Sequence, residues 1–181
     1  MRNTLRFSCL ATALLFFTHA VTAQSQTAPS PGAPPPPVPP AILNAKTIFV
    51  SNAGSDSGLF PHPFIGDPDR AYVEFYEAID SWHRYQLVAD PAQADLVLEL
   101  RLTGPNGPQS PNKATGASDP LPMLRLVIYD RPTHYVLWAL TESIAPADLQ
   151  KNHDRNFDIA LEELTSDLKR LTQPPAAAST P

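Results

Sequence analysis

Residues 95–103 read Asp-Leu-Val-Leu-Glu-Leu-Arg-Leu-Thr, with a leucine at every second position. Successive side chains of a β-strand point to opposite faces of the sheet, so this period of two predicts a strand with one buried face. Helices are expected on the leucine side. The opposite side carries Val97, Glu99, Arg101 and Thr103.

Further strands are predicted on either side of this stretch. Residues 124–130 repeat the alternation, with Leu124, Leu126 and Ile128 facing the same way. The turn-forming sequence Asp-Arg-Pro-Thr at 130–133 separates them from residues 135–141, which favours a β-hairpin. Upstream, residues 46–51 and 85–89 are short, apolar and bounded by turn formers, so each predicts a strand.

Two amphipathic helices complete the predicted domain. Asp67-Pro68-Asp69 has the composition of a helix start, and the apolar stripe that follows is Tyr72, Phe75, Tyr76, Ile79 and Trp82. A second stripe, within residues 154–171, is Phe157, Ala160, Leu161, Leu164, Leu168 and Leu171. The order β-α-β-β-β-β-α predicts an α+β fold, a two-layer sandwich with both helices on one face of a mostly antiparallel sheet.

Two segments resemble a known group of bacterial envelope domains. The run Ala-Asp-Leu-Val-Leu-Glu-Leu at 94–100 is similar to a strand element of the TolB amino-terminal domain and of related secreted or lipid-anchored domains of unknown function. Residues 126–130 and 136–138, joined by their turn, resemble the hairpin of the same group. The resemblance implies a fold and an envelope setting and transfers no active site.

The first 23 residues have the features of a cleavable signal peptide. Arg2 and Arg6 precede an apolar core at 10–17, and Val21-Thr22-Ala23 supplies small residues for cleavage after Ala23. The apolar run is shorter than the roughly 20 residues that cross a bilayer. Cys9 lies before or within that core, which is the wrong place for lipid attachment. The protein is therefore expected to be exported, either periplasmic or secreted, with no stable membrane insertion after cleavage.

The remaining chain divides by composition. Residues 24–43 are proline-rich and predict a semi-rigid linker, residues 44–173 a single α+β domain, and residues 174–181 a disordered tail. Residues 104–122, rich in Gly and Pro, predict a mobile loop between two antiparallel strands.

The charge balance argues against nucleic acid as a partner. All 18 acidic residues lie beyond Ala23, whereas cleavage removes 2 of the 13 basic ones, so the mature net charge is 11 − 18 = −7. Nucleic-acid binding depends on Lys and Arg at phosphates, and no basic run is present.

No motif predicts a catalytic, cofactor or metal site. The histidines of the mature chain lack metal-ligand spacing, and no nucleophile signature appears. Two alternatives stay open. One is a hydrolase that uses Ser51, Ser55 or Ser57 in the 51–58 segment. The other is a small-ligand binder with a pocket between helices and sheet, lined by Phe75, Ile79, Trp82 and Leu164.

The preferred hypothesis is a secreted or periplasmic, non-enzymatic module that binds an envelope protein partner, and cell-envelope assembly is the role considered for it. Two helices can cover only one face of the sheet, so the other face is a candidate docking surface. Its predicted residues are Val97, Val127, Tyr129 and Trp138. Trp138 is placed there with Val136 because the two alternate along one strand, although that set could equally be the core face.

Overall fold

A computed structural model of the 181-residue chain describes residues 36–109 and 118–173. The predicted signal peptide, residues 24–35 of the predicted linker, residues 110–117 and the tail from residue 174 lie outside the described residues. The folded unit begins at Pro37.

The chain forms an α+β structure, as the sequence predicts. Five strands make one mixed sheet in the order β2-β1-β3-β6-β7. Their bounds are β1 Thr47–Ser55, β2 Gln86–Leu87, β3 Leu96–Thr103, β6 Met123–Asp130 and β7 Val136–Ser143. β1 pairs in parallel with β2 and β3, whereas β3–β6 and β6–β7 are antiparallel, and β6–β7 is the predicted hairpin.

Three α-helices accompany the sheet: α1 Pro40–Asn44, α2 Arg70–Trp82 and α3 Gln150–Leu171. α2 and α3 pack on the same face, α2 against β1 and β3 and α3 against β6 and β7. The leucines of β3 lie beneath them, as the alternation predicts, together with Ile48, Val50, Leu124, Leu126 and Ile128. Phe75 and Ile79 of α2 and Phe157 and Leu164 of α3 are fully buried against these strands.

The structure corrects two predicted boundaries. Ile42 of α1 is fully buried and Val38 packs on the core, so the last residues of the predicted 24–43 linker belong to the domain. Within the predicted 104–122 loop, β4 Asn106–Gln109 and β5 Ser118–Pro120 pair as an antiparallel ribbon. The linker and the loop are both rich in Pro or Gly. Whether such segments pack or pair depends on contacts with other parts of the chain, which composition does not indicate.

Smaller differences concern where elements begin and end. β1 continues beyond residue 51 because Gly54, at φ +76°, allows an irregularity in its pairing with β3. α2 begins at Arg70 rather than Asp67, and α3 begins at Gln150 rather than Asp154. The strand expected at 85–89 is only two residues long, and Tyr85 is buried against Trp82, with ring centroids 5.4 Å apart.

The described chain enters and leaves the domain at one end, here called the entry end. Arg84 Nη2 donates to the Leu43 carbonyl at 2.9 Å, and Thr172, which follows α3, lies beside Tyr85. α3 has 22 residues, so its other terminus lies about 33 Å away, at the far end. None of the described helices combines the length and the apolar character needed to span a membrane.

Candidate protein-docking site

The sheet face opposite α2 and α3, here called the open face, is organised in rows across the strands. Strand register aligns Phe49 of β1 with Val97 of β3, Tyr129 of β6 and Val136 of β7. This apolar row lies nearest the entry end. The next row is Ser51, Glu99, Val127 and Ala139, and a third contains Arg101, Arg125 and Thr141. The open face therefore changes from apolar to basic along its length.

Exposure within the apolar row increases toward β7. Val127 is buried beside this row, and Phe49, Val97 and Tyr129 are half-buried. Val136 is 56% exposed, and the preceding Tyr135 is 73% exposed. The most accessible apolar surface therefore lies where the β6–β7 hairpin meets the open face.

Trp138 does not belong to this surface, and its predicted placement was wrong. Trp138 lies opposite Ile128, which faces the helices, and its side chain packs on the core. The pairing register shifts between Ile128–Trp138 and Tyr129–Val136, so Trp138 and Val136 point to opposite faces despite their two-residue spacing. Of the four predicted docking residues, the open face holds Val97, Val127 and Tyr129.

Polar groups at the centre of the open face are engaged with one another. The Tyr129 hydroxyl donates to Glu99 Oε1 at 3.4 Å. Burial, with the negative charge of Glu99, raises the pKa of Tyr129, so the phenol stays protonated at neutral pH. Arg101 Nη2 donates to Asp56 Oδ1 at 2.8 Å. The Gly104 amide and this guanidinium hold the pKa of Asp56 below its usual range.

β7 forms one edge of the sheet, with β6 on its only paired side among the described strands. The Ile144 amide donates to the Pro122 carbonyl at 2.9 Å, which makes that pair a hydrogen-bonded one in the antiparallel register. Such pairs alternate with non-bonded ones, so the outward N–H and C=O groups belong to Ala139, Thr141 and Ser143. All three residues are exposed.

An acidic cluster lies beside the same edge. Glu142 of β7 lies beside two acidic side chains of α3, Asp167 and Glu163. Burial and these two negative neighbours raise the pKa of Glu142, although Arg170 opposes the shift. Arg170 itself pairs with Asp167. Three carboxyl groups are thus balanced locally by one guanidinium.

The 51–58 segment gives no support to the hydrolase hypothesis. The Ser55 hydroxyl donates to the Pro68 carbonyl at 2.6 Å rather than facing a base. Among the hydrogen bonds of the described residues, none joins a histidine or carboxylate side chain to the hydroxyl of Ser51, Ser55 or Ser57. A serine nucleophile needs such a base within reach.

The space proposed for a small ligand between helices and sheet is occupied by the core. Phe75, Ile79 and Leu164 are fully buried there, and Trp82 packs at its margin. No three His, Asp or Glu side chains within 36–109 and 118–173 converge as metal ligands.

A groove of about 640 Å³ opens instead at the far end, above buried Phe64 and Ile144. Its polar groups hold the fold together. Gln150 Nε2 donates to the Pro63 carbonyl at 2.5 Å, and Gln150 Oε1 lies 3.4 Å from His62 Nδ1. These hydrogen bonds attach the 59–66 loop to α3, so the polar groups of the groove are explained by the fold.

A network centred on Arg70 also attaches the 59–66 loop to α3. Its guanidinium contacts Glu74, Asp154 and Asp158 at 2.8, 3.0 and 2.5 Å, and stacks 4.4 Å from the centroid of Phe157. The pKa of Asp154 is lowered by the Ile65 amide, by Gln150 and by Arg70, against the effect of burial. No sequence signal indicates the contacts between Arg70 and the two aspartates, because 84 and 88 residues separate them along the chain.

The comparisons with known proteins concern structure alone. No protein-family model and no curated protein matches the chain. A PelC dodecamer from Paraburkholderia phytofirmans is 13% identical with a TM-score of 0.42, covering 71% of this chain and 88% of that one. A DUF330 protein from Xanthomonas campestris is 14% identical with a TM-score of 0.41, covering 68% and 81%.

A third solved structure, uncharacterized lipoprotein B from Nitrosomonas europaea, is 11% identical with a TM-score of 0.35, covering 72% of this chain and 83% of its own. All three TM-scores lie below 0.5, a similarity too low to transfer a function. The resemblance to the TolB amino-terminal domain stays a prediction.

Proposed function

We propose that this protein is an exported, non-enzymatic module of the bacterial cell envelope that binds another envelope protein through its open face. The observation that carries the proposal is the apolar row Phe49, Val97, Tyr129 and Val136 on the face that the described helices leave uncovered. An exposed apolar patch bordered by polar groups is typical of a protein-binding surface.

The arrangement of the row suits a protein partner. An aromatic ring lies among aliphatic side chains, and Glu99, Arg101 and Arg125 border it toward the far end. Interface centres are enriched in Tyr and Phe, and their rims are polar. The row extends across four strands, and a contact surface of this breadth suits a macromolecular partner.

The side chains that could catalyse support a non-enzymatic role through their own hydrogen bonds. Asp56, Asp95 and Asp154 each accept backbone N–H groups, and Ser55 donates to a carbonyl. These bonds connect loops and strands, so they explain the residues without a reaction. The export signal and the envelope setting rest on the sequence of residues 1–23 and on the resemblance given above.

Site-specific photocrosslinking in the native envelope tests this proposal. A benzoyl-phenylalanine at Tyr129 should yield one discrete adduct, whereas the same probe at Tyr76, on the outer surface of α2, should not. Tyr76 is 37% exposed and is also a tyrosine, so it controls for residue type. Equal adducts at both positions, or none at Tyr129, would contradict docking through the open face.

A further inference from the structure

We infer that the β7 edge takes up an extended segment of the partner as a sixth strand, and that this segment carries apolar residues at alternate positions and a Lys or Arg beside Glu142. The inference rests on the proposed function and names the chemistry of the partner. It is carried by the open edge of β7, by the side chains that border it, and by the acidic cluster at its far end.

Among residues 36–109 and 118–173, no strand pairs with the outer edge of β7. β7 has eight residues, whereas the opposite edge strand, β2, has only two. The outward backbone groups of Ala139, Thr141 and Ser143 form a regular series of donors and acceptors. Of the features that protect exposed edges, β7 lacks Pro, Lys and Arg, and it carries one register shift at Val136 and one charge, Glu142, which favours a strand with a matching cation. Strand addition would satisfy these groups by main-chain hydrogen bonds.

The side chains of β7 define what the added strand must present. On the helix side, Trp138, Leu140 and Glu142 follow one another at two-residue spacing, and Trp138 and Leu140 are only partly buried. Opposite residues of adjacent strands have Cβ atoms about 5 Å apart and contact each other. A matching strand therefore places two apolar residues beside Trp138 and Leu140 and a third residue beside Glu142.

The charges around Glu142 decide the nature of that third residue. Glu142 lies beside Asp167 and Glu163, and the neighbouring positive group is Arg170, which already pairs with Asp167. A Lys or Arg next to Glu142 would relieve this repulsion. A second copy of the chain would instead bring a second acidic cluster to the same edge, which is unfavourable for self-pairing.

A synthetic peptide tests the inference directly. The probe is acetylated, amidated Lys-Thr-Val-Thr-Val-Thr-Lys, whose sequence is the same in both directions and so permits parallel or antiparallel addition. Its control replaces both lysines by glutamate. At a saturating concentration, the lysine peptide should slow amide hydrogen exchange at Ala139, Thr141 and Ser143 of the full mature chain at least tenfold. The glutamate peptide should leave these rates unchanged.

Variants separate edge pairing from other binding. Thr141→Pro removes one outward N–H and should abolish the protection. Thr141→Lys keeps the backbone N–H and should also weaken peptide binding. It serves as the test if the proline variant folds poorly. Glu142→Gln should weaken binding of the lysine peptide about two- to fivefold. Glu77→Gln, an exposed carboxylate on α2, should have no effect.

Three outcomes would overturn the inference: equal effects of the two peptides, protection that is absent from β7, or concentration-dependent protection of β7 without peptide, which indicates a second copy. The envelope crosslink at Tyr129 distinguishes the two levels of proposal. If Thr141→Lys leaves that crosslink intact, the open face binds a partner without strand addition. If the crosslink is absent from the unmodified protein, the proposed function itself fails.

Discussion

Asp95 and Thr47 bind each other reciprocally at the point where β3 and β1 begin. The Thr47 amide donates to Asp95 Oδ2 at 3.0 Å, and the Asp95 amide lies 3.0 Å from Thr47 Oγ1. The Lys46 amide also donates to Asp95 Oδ2, at 2.8 Å. These bonds fix the parallel register of β1 and β3, which aligns Phe49 with Val97 on the open face.

Replacing Asp95 by Ala should destabilise the fold and alter its response to acid. The Lys46 and Thr47 amides hold the pKa of Asp95 below its usual value. A lowered pKa contributes stability above the unfolded-state pKa and loses it as the pH falls through the folded-state value. Because Asp95 is exposed, we expect a loss of about 1 kcal/mol near pH 7, in the range of N-terminal capping bonds.

Urea unfolding between pH 2 and pH 7 measures the Asp95 effect. The difference in unfolding free energy between the native protein and Asp95→Ala should shrink toward the acid end. Glu77→Ala, at an exposed helix position, should leave both stability and its pH dependence nearly unchanged. A constant difference across the pH range would contradict the role assigned to the carboxylate.

Replacing Arg70 by Ala should lower the unfolding free energy by about 2 kcal/mol, because it leaves the partly buried Asp154 without its cation and removes the stack on Phe157. The unfolding free energy of Arg70→Lys should lie between those of the native protein and Arg70→Ala, since an ammonium cannot reproduce the forked contacts to Glu74, Asp154 and Asp158. Thermal and urea unfolding measure both variants. Arg155→Ala, at an exposed position of α3, is the matched control. An equal loss of unfolding free energy in that variant would contradict the prediction.

Glu142→Gln should stabilise the protein near neutral pH by about 0.5 kcal/mol, a value reduced for partial solvent screening. The pKa of Glu142 is raised by burial and by Asp167 and Glu163. A raised carboxyl pKa means that stability is fully present below the unfolded-state pKa and lost as the pH rises through the folded-state value. The gain should therefore appear in urea unfolding at pH 7 and vanish near pH 3, and a destabilised variant at pH 7 would refute it.

Ile42→Ala should destabilise the domain by about 2–4 kcal/mol, the usual cost of truncating a fully buried Ile. This result would place α1 within the folded unit rather than in the proline-rich linker. Ala41→Ser, on the exposed side of α1, is the control and should change the unfolding free energy by less than about 0.5 kcal/mol. Small and equal changes in unfolding free energy for both variants would indicate that α1 is part of the linker and not of the folded domain.

Signal cleavage after Ala23 predicts a mature protein that begins at Gln24 and contains no cysteine. Intact-mass spectrometry of protein isolated from the envelope or medium measures this directly. Ala23→Leu should retain the precursor, since signal peptidase requires a small residue there. Cys9→Ser should leave export and mass of the mature chain unchanged, whereas a lipid adduct lost in that variant would contradict the prediction.

Local chemistry alone determined much of the architecture. The alternation in 95–103 and 124–130 fixes which residues share a face within each strand, because side-chain direction follows backbone geometry. The apolar stripes of α2 and α3 and the turn at 130–133 similarly follow from helix periodicity and turn chemistry. These features sufficed for the α+β class, the hairpin and the placement of both long helices on one sheet face.

Tertiary structure decided what lies beside what. Phe49 joins Val97 only because β1 pairs in parallel with β3, and Glu142 meets Asp167 only because α3 returns along β7. Trp138 shows the limit most clearly: one shift in register between β6 and β7 turns it away from Val136 and into the core. A period of two assigns faces along one regular strand, but strand order and irregular pairing are set by contacts between distant segments.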